Sequence, residues 1–371
     1  MKRLVVCADG TWNSPGAMQG GKPCPTNVVK LAQAVAPTAA DGVVQIVYYH
    51  DGVGTHPGLD RVLGGMFGLG LDRNICDLYR FLVQNFEAGD EIYLFGFSRG
   101  AFTVRSLAGM IRKCGVLRKN RVDEVNSAYQ FYRSDHMPGS AEAKAFRTEK
   151  AVETRIRCIG VWDTVGALGI PVTPLRFFSE KKYRFHDVQL SSWVDNAFHA
   201  LAIDERRAPF RPAIWEAQQP TVGQPPQTVK QVWFAGVHSD IGGGYASAAL
   251  SDVTLEWMIR EAAGCGLGFL SDVLAGLAGD PLGEIHDSMT VGYRLLGDGT
   301  RHIQQPTGST PTFPTGFQRL DPSVEVRYAD AVLGYRPRPL ADYYERAKLA
   351  RASEERAREP VHADTSVPGA D

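Results

Sequence analysis

Five short apolar runs punctuate the chain: Leu4 to Ala8, Val43 to Tyr49, Ile92 to Phe97, Ile156 to Trp162 and Val229 to Ala235. Each ends at a polar residue or a glycine, as strands buried on both faces do. Between them the apolar spacing lengthens to three and four. That periodicity predicts helices over Asn27 to Ala36, Asp72 to Phe86, Ala101 to Cys114 and Val122 to Tyr132, and one after Asp252 carrying Leu255, Met258 and Ile259. Strands alternating with helices imply the α/β class, with a mostly parallel central sheet covered by helices on both faces.

Two stretches break the alternation and read as helical or loop insertions, at about residues 171–226 and 264–323. Within the first, His199 lies near the end of a helical run. Within the second, Leu267 to Leu277 is apolar enough to be a lid over a greasy site, and equally suits a surface helix packed on the core. The glycine-rich run Val62 to Leu71 has the same two readings, a lipid-facing patch or close packing. Residues 354–371 are polar and read as a disordered tail behind a single domain spanning 1–350. No internal repeat is visible.

Composition narrows the class. With 371 residues, 44% of them hydrophobic, the chain can bury a large core as one domain with insertions. The net charge of −1 gives no whole-chain attraction to nucleic acid, so no nucleic-acid partner is expected. Six cysteines lie far apart with no Cys-x-x-Cys pair, which argues against a zinc ribbon or a disulfide framework; buried thiols are expected, and neither metal nor cofactor. Only about five apolar residues precede Asp9, too few for the apolar core of a signal peptide, and no run of 18 or more apolar residues suggests a membrane span. A soluble protein made in the cytosol is the expectation.

Chemistry in parallel sheets gathers beyond the carboxyl ends of the strands. There this chain places Asp9-Gly10-Thr11, Asp51-Gly52, Ser98, Asp163-Thr164 and His238-Ser239-Asp240. Gly96-Phe97-Ser98-Arg99-Gly100, between a strand and a helix, has the Gly-x-Ser-x-Gly pattern of a nucleophile elbow: a sharp turn lifts the serine hydroxyl, and the glycines let neighbouring backbone pass. In that arrangement the order along the chain is nucleophile, acid, base. His238, directly after a late strand, is the best placed base, with His199 a weaker alternative more simply read as a packing residue.

The acid has three candidates. Asp163 ends a strand and lies between Ser98 and His238; Asp204 also lies between them, though a salt bridge to Arg206 or Arg207 explains it as well; Asp240 is close to His238 along the chain. An oxyanion hole needs two backbone N–H groups, one following the nucleophile and one from an early strand-to-helix loop. Arg99 supplies the first, and Gly10 or Thr11 the second, unless Asp9-Gly10 is an ordinary turn. Asp-Gly-Thr after a first strand also occurs in haloacid-dehalogenase-like phosphatases, but their nucleophilic aspartate is here Cys7.

Asp9-Gly-Thr-Trp-Asn, Gly96-Phe-Ser-Arg-Gly-Ala, Gly160-Val-Trp-Asp-Thr-Val-Gly, Ala202-Ile-Asp-Glu-Arg-Arg and Gly236-Val-His-Ser-Asp-Ile-Gly-Gly-Gly-Tyr, in this order, resemble the α/β-hydrolase family that includes the catalytic domains of type VI secretion lipase effectors. The resemblance spans roughly residues 3 to 260. It implies Ser98 as nucleophile, Asp163 as acid and His238 as base, phospholipase A activity, transient contact with a membrane surface and delivery by a secretion system. The expectation is a serine hydrolase of ester or lipid substrates. A carboxylesterase or thioesterase for soluble substrates and a non-catalytic module keeping the same fold are the alternatives.

Overall fold

Alternation along the first strand organises the molecule. In β1 (Arg3–Ala8), Leu4, Val6 and Ala8 enter one apolar cluster while Val5 and Cys7 enter another, so the strand is covered on both faces. The computed structural model describes residues 1–10, 13, 15–52, 66–165, 190–216, 226–294, 297–304 and 318–358. Besides β1, the main sheet contains β2 (Gln45–His50), β3 (Glu91–Phe97), β4 (Ile156–Trp162), β5 (Val194–Ala202), β6 (Thr228–Phe234) and β7 (Gln318–Leu320). Their spatial order is β7-β6-β5-β4-β3-β1-β2, and every neighbouring pair is parallel. The mostly parallel sheet covered on both faces is therefore as expected.

On one face lie α2 (Met66–Asn85), α3 (Arg99–Cys114) and α4 (Val125–Arg133), contributing Leu78, Leu82, Phe102, Leu107 and Ala128 to the first cluster. On the other lie α1 (Asn27–Ala34) and α7 (Ala249–Gly264), contributing Val28, Leu31, Leu255 and Met258. Helix α5 (Ala141–Lys150) joins the first face, and the short helix α6 (His238–Gly242) follows β6. A third cluster sets Leu201 and Trp233 of β5 and β6 against Ile303, Val324 of α10 (Pro322–Ala329) and Leu340 of α11 (Arg338–Arg358). Between α7 and α10 lie the short helices α8 (Ser271–Ala275) and α9 (Val291–Arg294). The chain leaves β1 for β2 on one side and then crosses to β3 on the other. In open parallel sheets a reversal of this kind marks the strand ends where chemistry gathers, here the carboxyl ends of β1 and β3.

Several expectations change. The stretch read as an insertion at 171–226 contains β5, a fully integrated strand between β4 and β6, and β7 lies inside the stretch 264–323. Val194-Asp-Asn-Ala-Phe-His-Ala-Leu-Ala202 lacks a β-branched run and is rich in alanine; pairing on both edges overrides that local preference. The predicted helix from Val122 starts as a 3₁₀ turn over Lys119–Glu124 and becomes α-helical only at Val125. Helix α5 was not expected from the pattern, and α11 runs to Arg358, so the first residues of the supposed tail at 354 are helical.

The apolar stretch Leu267 to Leu277 is not a lid over the strand ends that carry the chemistry. It crosses the amino ends of the strands: Gly268 exchanges hydrogen bonds with the Gln45 side chain at the start of β2, and the Cys265 carbonyl accepts from Tyr93 and Arg157. Leu267 is buried, and Phe269, Leu274 and Leu277 pack on the core. In Val62 to Leu71, residues 62–65 and the side chains of 66–69 lie outside the described residues. No helix among the described residues is long and apolar enough to cross a membrane.

Candidate active site

Strand β3 ends at the elbow. Ser98 has φ +57° and ψ −118°, a backbone conformation that side chains rarely adopt, held between β3 and the first turn of α3. Its N–H donates to the Trp162 carbonyl at 3.0 Å, tying the turn to the end of β4. The glycines are sterically required. A Cβ on Gly100 would stand 2.1 Å from the Ala8 carbonyl oxygen, and one on Gly96 would stand 2.6 Å from the Gly100 oxygen. The β1 backbone therefore passes directly against the elbow.

The three residues singled out for nucleophile, acid and base meet here. His238, first residue of α6, has Nε2 2.8 Å from Ser98 Oγ and Nδ1 2.5 Å from Asp163 Oδ2. An ionised carboxylate can only accept, so Nδ1 carries the proton and Nε2 is left to accept from the serine hydroxyl. Asp163 follows β4 directly, with φ +39°, a left-handed conformation that aspartate tolerates better than most residues. Its N–H donates to the Ala200 carbonyl and its Oδ1 accepts from the Ala202 N–H, so β5 holds it. The imidazole packs against the Phe97 ring and edge-on to the Phe210 ring, at centroid distances of 4.6 and 5.0 Å.

Burial sets the electrostatics. Loss of water around His238 lowers its pKa from the ordinary value, against the opposing pull of Asp163 and Glu205, which favours the neutral base form. For Asp163 burial would raise the pKa, but the Arg301 charge and the His238 hydrogen bond more than reverse this and hold the carboxyl well below the usual range. A neutral imidazole between an ionised carboxylate and a serine hydroxyl can move the hydroxyl proton onto Nε2.

The alternatives are placed elsewhere. Asp204 accepts from the Gly236 N–H and the Tyr335 hydroxyl, and burial pushes its pKa up to about 6. Its anticipated ion pair belongs instead to Glu205, which holds Arg207. Asp240 bonds the Val237 N–H and pairs with His286 at 2.6 Å. His199 lies in β5, not in a helix, and its Nε2 accepts from the Thr164 N–H. Burial lowers its pKa to about 3, so it is a neutral anchor for the loop that carries Asp163.

Two contacts of these residues were not anticipated: Glu205 accepts from the His238 N–H at 3.2 Å, and Arg301 grips Asp163 with both terminal nitrogens. Glu205 stood inside a quoted motif. Arg301 is 138 residues from Asp163 in a stretch of loop composition, where no local pattern marks it.

Around the elbow, the Arg99 amide heads α3, where the helix dipole favours negative charge. Gly10 lies against Ser98, but its N–H donates to Asp9 Oδ1 at 2.7 Å; Thr11 lies outside the described residues. Asp9 also accepts from Thr26, the N-cap of α1, and from Tyr49, and burial pushes its pKa up to about 6 against these hydrogen bonds. Among the described residues, no group of three or more His, Cys, Asp or Glu is placed to hold a metal ion.

A parallel sheet with an elbow after β3, and Ser, Asp and His in that chain order at its carboxyl ends, defines an α/β-hydrolase fold. Residues 2–261 match the family described as "T6SS, Phospholipase effector Tle1-like, catalytic domain", and the chain belongs to that family. It is also similar to "Uncharacterized protein YEL023C" of Saccharomyces cerevisiae, with 34% identity over 235 residues, 57% of this chain and 32% of that protein. The chain thus spans 32% of the length of that relative. Among solved structures, an uncharacterized protein from Pseudomonas aeruginosa superposes with a TM-score of 0.42 and 18% identity, covering 75% of this chain and 49% of that one. The Tle1 effector bound to the VgrG spike of the type VI secretion system superposes with a TM-score of 0.37 and 20% identity, covering 66% and 51%.

Proposed function

We propose that this protein is a serine hydrolase of carboxylic esters, acting on lipid or phospholipid acyl esters in the manner of a phospholipase A. The observation that carries the reading is the unbroken hydrogen-bond chain Asp163–His238–Ser98, at 2.5 and 2.8 Å, built on a strained elbow. His238 Nε2 takes the Ser98 proton as Oγ attacks the acyl carbonyl. Asp163 holds the imidazole in its tautomer and stabilises the imidazolium. The oxyanion is held by the Arg99 amide and by a second backbone donor after β1, for which Gly10 and Thr11 are the candidates; the Gly10 N–H also donates to Asp9. Collapse of the intermediate expels the alcohol, which receives the proton from His238. A water deprotonated by His238 then attacks the acyl-enzyme carbonyl, the Ser98 ester bond breaks as His238 returns the proton to Oγ, and the fatty acid leaves.

Membership of a phospholipase effector family supports the choice of lipid, and delivery through type VI secretion is the route this reading adopts. A fluorophosphonate probe should label the wild type at Ser98, and Ser98→Ala should lose labelling and about 10⁶-fold in kcat with the fold intact by circular dichroism. Equal hydrolysis by the alanine variant overturns the reading. Release of fatty acid from phosphatidylcholine vesicles well above that from the same ester as monomer identifies a lipase. Fast cleavage of short soluble esters with no gain at an interface identifies a carboxylesterase instead.

A further inference from the structure

Asp163 is held more firmly than the orientation of one histidine requires. Arg301 Nη1 donates to Oδ1 at 2.5 Å and Nη2 to Oδ2 at 2.9 Å, a two-pronged grip in which the rigid guanidinium plane sets the carboxylate plane. The fork is itself fixed, because Nη1 reaches the Ala202 carbonyl at 3.2 Å and Nη2 the Phe210 carbonyl at 2.7 Å. Asp163 is fully buried and Arg301 nearly so, so water screens little of the charge between them. Oδ2, the oxygen that faces His238 Nδ1, is also the oxygen held by Nη2.

A second ion pair lies against the His238 backbone. Glu205 Oε2 accepts from the His238 N–H, and the same carboxylate takes Arg207 Nε and Nη2 at 2.9 and 2.8 Å. The groups facing His238 are thus Asp163 with Arg301 behind it, Glu205 with Arg207 behind it, and the Ser98 hydroxyl. Behind Asp163 stands His199, kept neutral by burial; on α6 itself Asp240 is paired with His286. Two carboxylates and two guanidiniums sum to zero before His238 takes up a proton.

We propose that Arg301 is the positioning residue of the triad: its fork sets the direction of Asp163 Oδ2, and its charge neutralises Asp163, so that His238 stays an unprotonated base in mildly acidic solution. The residue comes from outside the family match at 2–261, so this support is added by the later part of the chain. The assignment rests on the triad reading given above. An uncompensated aspartate beside a histidine stabilises the imidazolium and raises its pKa. The Arg301 charge offsets that attraction. Its removal therefore moves the acid limb of the rate upward, while its loss as a fork lowers the rate at every pH.

The test is the pH dependence of the rate of fluorophosphonate labelling, which reports activation of Ser98 whatever the natural ester is, measured for the wild type, Arg301→Gln and Arg301→Lys with circular dichroism alongside. In Arg301→Gln the acid limb should rise by about one pH unit, and the plateau should fall about 10- to 100-fold. Arg301→Lys keeps the charge and loses the fork; its limb should stay where the wild type has it, with a plateau down about tenfold. A folded Arg301→Gln variant with an unmoved limb overturns the proposal, as does Arg301→Lys labelling at the wild-type rate. If Arg301→Gln does not fold, the lysine variant decides alone. Ser98→Ala separates the two readings: labelling that survives it overturns the triad and the role of Arg301 together. Labelling lost in Ser98→Ala but unchanged in Arg301→Lys overturns Arg301 alone.

Discussion

Ser98 and Asp163 share an unusual property: both hold positive φ without being glycine, and both sit at the end of a central strand. Such conformations persist only where the surroundings over-determine them. Here the elbow is tied to β4 and Asp163 to β5 by backbone hydrogen bonds. The acid assignment has a direct test at this scale. Asp163→Asn should fold and lose about 10⁴ in kcat, because the amide favours the wrong imidazole tautomer. Asp204→Asn should change kcat only a few-fold, since an amide oxygen can still accept from Gly236 and Tyr335 and no bond to His238 is lost. Measuring both on one ester decides the point; a reversed order transfers the acid role to Asp204.

At the scale of elements, the elbow depends on how closely β1 approaches α3. Gly100→Ala should lose at least about 4 kcal/mol or fail to fold, because the clashing atom is the Ala8 backbone oxygen and cannot swing aside. Gly139→Ala, at an exposed turn with nothing within 4 Å of the added Cβ, is the control and should leave the urea midpoint unchanged. The same scale shows where sequence reading stops. β1, β3 and β4 were legible because Leu-Val-Val, Ile-Tyr-Leu-Phe and Ile-Gly-Val-Trp are apolar on both faces and end at chemistry-bearing residues. β5 was not, because its alanines and His199 suit a helix until two neighbouring strands pair with it.

For the whole molecule, the two ends of the sheet have different work. The carboxyl ends collect Ser98, Asp163 and His238; the amino ends are closed by the segment after α7. Phe269→Asp therefore places a charge against the core far from the elbow, and should lower stability by about 2 kcal/mol, seen as a lower Tm. Hydrolysis of vesicles and of soluble esters should fall together, if at all; a selective loss on vesicles would restore that segment as a lipid contact.

What the sequence determined by itself was the class of fold, from the two periodicities, and the choice of Ser98, Asp163 and His238 as the residues that meet at the elbow, because an elbow and two strand ends place side chains by local rules. Glu205 was visible only as part of a motif, without a role. Tertiary structure alone decided that Leu267 to Leu277 faces away from the site, since an apolar stretch carries no record of which end of a sheet it covers. It alone supplied Arg301. Salt bridges between residues 138 positions apart leave no periodic mark on the chain, and only the packing of the C-terminal segment against β5 and β6 brings that guanidinium to Asp163.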